Sequence, residues 1–228
     1  NASGVNYVAW CWKANGGTTS SNTDGAITST VQVNNKAGIS IVKWTGTGSA
    51  STVGHGLSAA PKVIIQKSLS STSDWPVYHG SISSPNSNFH TLNSSGSLNN
   101  ISNYWGSGGV TSSVFGVIGS PYSINASGVD QIAYCFTEIS GFSKFGSYTG
   151  TGAAGNLIET GFEPSFIMFK RTDSTGGWLI FDNKRNLTNP RNSRLEANNT
   201  GAEQAGSTSK FVDFYSNGFE PQVSDSEI

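Results

Sequence analysis

The chain has 228 residues with a formal net charge of −1, and its composition excludes several classes of function. Only 12% of the residues are charged, so no basic stripe exists that could neutralise a phosphate backbone, and nucleic acid is not an expected partner. The longest apolar runs, such as residues 166–169, are far shorter than the roughly 20 residues of a membrane helix, so we expect no membrane insertion. The length suits one large or two small sandwich domains.

An internal repeat organises the chain. Residues 1–5 read Asn-Ala-Ser-Gly-Val, and the same five letters return at residues 125–129, which is 124 positions later. Each copy continues into an aromatic segment that carries one cysteine. Because self-similar units that pack on each other build repeat architectures, the sequence predicts two tandem units, residues 1–124 and 125–228.

The spacing between matching segments changes along the chain. The Thr-Gly-Thr-Gly of residues 45–48 returns at residues 149–152, so the offset falls by 20, from 124 to 104. The first unit therefore holds 20 extra residues, and its polar stretch 15–37 predicts a loop insertion or an added hairpin. Residues 61–79 and 164–182 match at an offset of 103, and each predicts a hairpin whose first strand opens at a proline.

Hydrophobic residues alternate with small or polar ones, and no segment shows the spacing of a helix. In the first aromatic segment Val8, Trp10 and Trp12 would lie on one face of a strand, and Ala9 and Cys11 on the other. The second copy keeps this division between a bulky and a small face. The sequence predicts an all-β protein made of tandem antiparallel β-sandwich repeats of the jelly-roll or lectin-like type, with little or no helix.

The two cysteines, Cys11 and Cys135, hold equivalent positions in the two copies. We expect both to be buried free thiols, because cysteine is among the residues most often found buried. A disulfide between them would need Cα atoms within about 7 Å, which equivalent strands of separate sandwiches do not offer. No histidine or cysteine lies at a ligand-like spacing from either thiol. We expect no metal and no cofactor.

Catalysis would require a constellation of reactive groups. The candidates for a glycosidase-like carboxylate pair are Glu159, Glu163, Asp173 and Asp182 of the second unit. None of them has an acidic counterpart in the first unit, and acidic side chains are mostly exposed in proteins. The residues therefore favour a protein that is not an enzyme, and a glycan-degrading enzyme with one carboxylate pair is kept as an alternative.

Binding of a sugar agrees better with the residues. Sugar sites pair aromatic faces with Asp, Asn and backbone groups, which are set in loops on a rigid scaffold. The loop at residues 70–74 and the polar stretch 83–105 of the first unit are rich in these groups. The retention of Trp75 as Trp178 in the second unit favours core packing for both, while Trp105 has no counterpart. The candidate ligand-binding residues are Asp74, Trp75, Phe89, His90, Tyr104 and Trp105.

Residues 125–186 carry a resemblance to a known family. The pattern NASGVxxxAYCFxEIxGFSKFGSYTGTG, followed by TGFxPxFIMFKRTDxxGxWLIFDxxRN, resembles a repeat of marine bacteriophage tail fibre and virion-associated proteins and of ocean metagenome sequences. The first unit is similar to a variant of that repeat, so the resemblance covers most of the chain. Such repeats are often found beside concanavalin-like and laminin-G-like sandwich domains, and the family offers no catalytic residues to carry over.

The resemblance implies a structural or receptor-binding, adhesin-like segment of a tail appendage, located in the virion and extracellular. Its implied partners are other virion proteins and host cell-surface glycans, and fibre proteins of this kind are commonly homo-oligomers, including trimers. A third reading, from a different class, is a purely structural repeat in a surface or filament array. An unpaired edge strand near residues 7–12 or 211–219 would favour that reading.

Overall fold

The computed structural model describes residues 2–119 and 123–228; Asn1, which opens the first copy of the repeat, lies outside them. Helical structure in this part of the chain is limited to one short 3-10 turn, Ser123–Asn125. The prediction of an all-β fold with little or no helix is confirmed, and all pairings between the strands are antiparallel. The strands are β1 (Ser20–Asn22), β2 (Ser29–Asn34), β3 (Ile39–Thr45), β4 (Ser51–Gly54), β5 (Val63–Ser68), β6 (Pro76–His79), β7 (Asn88–Thr91), β8 (Asn99–Asn100), β9 (Val114–Val117), β10 (Asp130–Phe136), β11 (Ile158–Glu159), β12 (Phe166–Lys170), β13 (Trp178–Asp182), β14 (Leu195–Glu196), β15 (Val212–Tyr215) and β16 (Gly218–Pro221).

The first sandwich contains an eight-stranded sheet in the order β1-β2-β3-β10-β5-β6-β7-β8, and a two-stranded sheet formed by β4 and β9. Its core lies between these sheets, where Val42 and Ile64 of the large sheet join Val53, Phe115 and Val117 of the small one. The predicted insertion at residues 15–37 contains β1 and β2, which form a hairpin on the β3 edge. Of the two forms predicted for the insertion, the structure has the added hairpin.

Strand β10 lies after the predicted boundary at residue 124, but it pairs with strands from before that boundary. It belongs to the second copy in sequence, yet it pairs with both β3 and β5 in the middle of the first sandwich's large sheet. Its small side chains Ala133 and Cys135 are buried in the core of that sandwich, while Tyr134 and Phe136 are half-buried on the outer face. The predicted division of this strand into a small and a bulky face is confirmed. The first sandwich, however, includes a strand of the second sequence unit, so the structural boundary lies after β10 and not at residue 124.

The Asn-Ala-Ser-Gly turn before β10 docks on the Thr-Gly-Thr-Gly segment after β3. Gly46 donates its backbone N–H to the Val129 carbonyl oxygen at 2.9 Å, and the Asn125 side-chain amide donates to the Ser49 carbonyl oxygen at 2.7 Å. A Cβ atom on Gly46 would collide with the carbonyl oxygen of Ala126. Glycine is required here because the two backbones approach so closely.

The second sandwich is smaller. One of its sheets has the order β12-β13-β14, the other has the order β11-β16-β15, and the predicted hairpin at residues 164–182 is β12 and β13. Leu179 and Phe181 of β13 pack against Val212, Phe214 and Phe219 in its core.

A third apolar cluster joins the two sandwiches. Val63 and Val77 of the first sandwich and Trp178 of the second are buried in it. The Trp178 indole N–H donates to the Thr91 carbonyl oxygen of the first sandwich at 3.0 Å.

Candidate functional site

Three of the six predicted ligand-binding residues belong to the core of the first sandwich. Phe89 and Tyr104 stack nearly parallel, with ring centroids 3.9 Å apart. Trp105 is fully buried, and its ring meets the Tyr78 ring edge-on at 5.6 Å. The prediction that these three rings present a face to a ligand is therefore replaced by a packing role, because water and sugar cannot reach them in this structure.

His90 is also buried, but it lines a cleft. Neither of its ring nitrogens has a hydrogen-bond partner among the described residues, and its ring packs edge-on against Trp178 at 5.6 Å. Burial lowers the pKa of His90 to about 4 by desolvating the charged ring, and the positive charges of Lys170 and His79 add to this effect. His90 is therefore neutral at pH 7.

Asp74 and Trp75 remain at the surface and form a small polar and aromatic cluster with Asn93 and Lys67, here called the Trp75 cluster. Asn93 holds the cluster together: its side-chain amide donates to Asp74 Oδ1 at 3.0 Å, and its Oδ1 accepts the Trp75 backbone N–H at 2.9 Å. The Lys67 ammonium lies 5.8 Å from the centroid of the Trp75 ring, which is within cation–π range. Asp74 is exposed and Trp75 is half-exposed.

An open cleft lies beside β12 in the described structure. It encloses about 550 Å³ and is lined by residues 146–153, by residues 168–173 of β12 and the turn after it, and by residues 223–228. Its walls include Tyr148, Phe169 and Lys170, and His90 reaches it from the first sandwich. Sequence reasoning did not find this cleft, because it arises from a missing neighbour of β12 and not from a motif of its own.

Comparison with known families gives one match: residues 1–228 match the model of a domain of unknown function, DUF7483. The chain belongs to this family. The description of DUF7483 carries no activity, ligand or partner, and no curated protein and no solved structure matches the chain. Function must therefore be argued from the residues of this DUF7483 chain itself.

The four acidic residues of the enzyme alternative lie in different surroundings. Asp182 is buried at the end of β13 and is paired with Arg185, at 2.8 Å from Nε to Oδ2. Asp173 is exposed at the other end of the β12–β13 hairpin and is paired with Arg171. The two are separated by the whole of β13, about 13 Å for four strand steps. Glu159 and Glu163 are exposed outside this hairpin.

Hydrogen bonds set the ionisation of Asp182. Burial by itself would raise its pKa, but the Arg185 guanidinium and the backbone N–H groups of Lys184 and Arg185 all donate to the carboxylate, so the pKa lies below its usual value. A general acid for glycoside hydrolysis needs a raised pKa. Asp182 has the opposite shift and acts as a structural anion.

The two cysteines differ. Cys135 is buried as predicted, and its burial raises the pKa of the thiol. Cys11 is exposed, so the prediction of burial is wrong for this residue in the structure as it stands, because residues 5–14 form no strand.

Among residues 2–119 and 123–228, no group of three His, Cys, Asp or Glu side chains could hold a metal ion. In the same residues no helix has the length and apolarity to cross a membrane.

Proposed function

We propose that this DUF7483 chain is a non-catalytic receptor-binding and structural segment of a bacteriophage tail fibre or related appendage, and that its Trp75 cluster binds glycans of the host surface. The resemblance of residues 125–186 to tail-fibre repeats supports the viral setting. The observation that carries the binding proposal is the Trp75 cluster, in which a half-exposed ring lies beside a carboxylate and an amide whose positions are fixed by mutual hydrogen bonds.

The chemistry of the cluster suits a sugar ring. The apolar face of a pyranose packs on an indole, and its hydroxyl groups donate to a carboxylate and exchange hydrogen bonds with an amide. Asn93 is positioned by its bonds to Asp74 and to the Trp75 backbone, so little conformational entropy is lost when a ligand binds. The proposed partners are therefore host glycans, with other virion proteins and further copies of the chain in the assembled fibre.

A second function, a purely structural repeat in a surface or filament array, is favoured by a different observation. Residues 7–12 form no strand, so they do not supply the edge strand expected there, whereas β15 ends its sheet within 211–219. Among the described residues, β12 also has no strand neighbour on the side of the cleft. Unpaired edges of this kind are templates for pairing with another chain. Pairing of residues 7–12 of one copy with the free edge of β12 in another copy would build an array without any ligand.

A glycan-array screen tests the binding proposal. The wild-type chain, Trp75→Ala and Asn93→Ala would be compared with Leu187→Ala, a matched removal of an apolar side chain that is 78% exposed in the second sandwich. We expect the first two substitutions to weaken the glycan signals at least tenfold and the Leu187 substitution to leave them unchanged. Equal signals from all four proteins, or no signal for the wild type, would contradict the proposal. Release of reducing sugar from the bound glycans would support the enzyme alternative instead.

A further inference from the structure

The second sandwich lacks one strand that the first sandwich has. In the first, β10 fills the position between β3 and β5. In the second, β12 is the counterpart of β5, and residues 143–149 are the counterpart of β3 by the repeat offset of 104. Residues 144–150 form no strand in the described structure, and β12 pairs with β13 alone. Residues 146–149 and 168–170, between which a counterpart of β10 would lie, both line the open cleft.

The chain also contains an unused copy of β10. Residues 7–12 match 131–136 at the offset of 124, with Ala9 and Cys11 in place of Ala133 and Cys135. In this structure they form no strand, and their apolar side chains are left in water: Tyr7 is 68% exposed and Trp12 is 48% exposed. A strand with one small and one bulky face is suited to a position between two strands, and not to solvent.

The turn and the segment on which it docks are duplicated as well. The turn at residues 2–4 and the Thr-Gly-Thr-Gly segment at residues 149–152 have the same glycine conformations as the docked pair, but they do not contact each other in this structure. Gly4 and Gly128 have φ angles of 75° and 73°, and Gly48 and Gly152 have φ angles of 75° and 74°. The turn at residues 125–128 occupies the first dock so closely that Gly46 has no room for a Cβ atom. The equivalent Gly150 meets nothing within 4 Å, so the structure as it stands gives no reason for a glycine there.

The residues that follow the unused strand already lie at the entrance of the vacant position. Trp12 packs edge-on against Phe166, the first residue of β12, at 5.8 Å, and against Phe136 at 6.2 Å. In the first sandwich Phe136 pairs with Val63, and the repeat equates Phe136 with Trp12 and Val63 with Phe166. The Trp12 ring thus lies beside the residue that the register of the first sandwich would pair it with.

We propose that residues 2–12 bind the open edge of β12 in the same chain, as the missing strand of the second sandwich. The two sandwiches then exchange strands reciprocally: β10 completes the first, and residues 7–12 complete the second. In this register Cys11 pairs with Ile167 and Ala9 pairs with Phe169, with their small side chains on the core side. On the outer face Trp12 lies opposite Phe166 and Trp10 opposite Met168. Both indole rings already contact Phe166, and the Trp10 indole N–H, which now donates to Asp182 at 3.3 Å, moves by about one pair of residues along β12.

The area and the tether both favour this occupant. Aromatic side chains bury about 150–250 Å² each when they are fully buried. Tyr7 and Trp12 are still 68% and 48% exposed, so docking would remove a further part of this apolar area from water. The bonds from the Asn34 side chain to the carbonyl oxygens of Lys13 and Ala14 fix the C-terminal end of the segment to the last residue of β2. A tethered segment has an effective concentration of about millimolar, which exceeds that of a second copy in dilute solution.

A disulfide cross-link tests the register and the source of the strand. With Ile167→Cys, the native Cys11 would face the introduced thiol directly across the strand pair, where Cβ atoms are about 4.5–5.5 Å apart. Met168→Cys is the matched control, because a shift of one residue places its thiol on the opposite face. Cys135 is buried and is retained in both proteins. The products of mild oxidation would be identified by mass spectrometry of non-reduced peptides.

We expect a bond between Cys11 and position 167 within a monomer, at least tenfold more abundant than the bond to position 168. Cross-linked dimers would overturn the assignment to the same chain and support the array of copies. Equal yields at positions 167 and 168, or no cross-link at either, would overturn the register. Thiol labelling of the wild type is an independent check: we expect Cys11 to react at least tenfold more slowly than after removal of residues 1–8, and equal rates would overturn the proposal.

Discussion

Strands β5 and β12 hold the same position in the two halves of the repeat, yet they are buried to different extents. Four of the six residues of β5 are buried, whereas all five residues of β12 are only half-buried. The difference does not come from composition, because Phe-Ile-Met-Phe of β12 is more apolar than Val-Ile-Ile-Gln of β5. It comes from the neighbours: β5 lies between β10 and β6, and β12 has a strand on one side only. Completion of a sheet, more than hydrophobicity, decides which side chains become core.

The repeated tryptophan shows the same effect on a single residue. Trp75 of the first unit is half-exposed beside Asp74, whereas Trp178 of the second unit is buried against the first sandwich and donates its indole N–H across the contact. One sequence position therefore serves as a surface ring in one half and as an interface residue in the other. A change at a repeated position should have different consequences in the two halves, and the following substitutions use this.

The largest expected loss of stability comes from a tryptophan in the core of the first sandwich, compared with a tryptophan on its surface. Trp105→Ala should lower the free energy of unfolding by about 3–5 kcal/mol, because it leaves a large cavity at a fully buried site. Trp75→Ala removes the same side chain from a half-exposed position and should cost clearly less. Urea unfolding followed by circular dichroism measures both. Equal losses for the two proteins would contradict the core position of Trp105.

A similar contrast exists between two ion pairs of the second sandwich. Arg185→Ala leaves the buried Asp182 carboxylate without its partner and should cost about 3–5 kcal/mol. Arg171→Ala breaks the pair with Asp173, whose side chain is 74% exposed, and should change the stability little, because water screens such pairs. Urea unfolding at pH 7 compares the two variants, and equal losses would show that the Arg185 pair is not desolvated.

His90 makes the contact between the sandwiches sensitive to acid. Its folded-state pKa of about 4 lies below the value near 6.5 of an unfolded histidine. The unfolded chain therefore binds a proton first, and His90 should lower the stability as the pH falls from about 6.5 to about 4, with no contribution above that window. The full loss would be about 3 kcal/mol, reduced by screening from water in the open cleft.

His90→Gln, which removes the titration, should flatten this part of the stability curve. The measurement is the urea midpoint of the wild type and the variant at pH 7.5, 6 and 4.5, with the Leu187→Ala protein as the surface control. Above pH 7 the urea midpoints of the two proteins should depend on pH with the same slope. Their values should still differ, because the substitution also changes the packing beside Trp178. Parallel curves over the whole range would contradict the lowered pKa of His90.

The sequence predicted the all-β fold, the repeat, the hairpins and the two faces of β10, because each of these follows from local pattern. It did not predict that β10 joins the first sandwich, because a repeat fixes which residues are equivalent and not which sheet a strand enters. The same limit explains the errors at Trp105 and Cys11. Trp105 has no counterpart in the second unit and suggested a ligand site, but the larger core of the first sandwich uses it for packing. Cys11 was expected in a sheet that residues 7–12 do not join in this structure.

The smallest expected effect also bears most directly on the difference between the halves. Gly46 and Gly150 both have φ angles outside the left-handed region, so alanine at either position tests space and not backbone conformation. Gly46→Ala places a Cβ atom against the Ala126 carbonyl and should cost about 1–3 kcal/mol, as other overpacking substitutions do. Gly150→Ala meets nothing within 4 Å in the open form.

If the turn at residues 2–4 docks on residues 149–152, Gly150→Ala should destabilise the chain in the same direction as Gly46→Ala and should expose Cys11 to thiol labelling. If the second dock stays vacant, Gly150→Ala should leave both the urea midpoint and the labelling rate unchanged. Gly155→Ala is unsuitable as a control because its φ of 96° would add strain, whereas Gly146→Ala, with open space around it and no positive φ, is well matched. The pair at positions 46 and 150 therefore measures whether the two halves of the repeat are assembled by the same strand exchange or by two different arrangements.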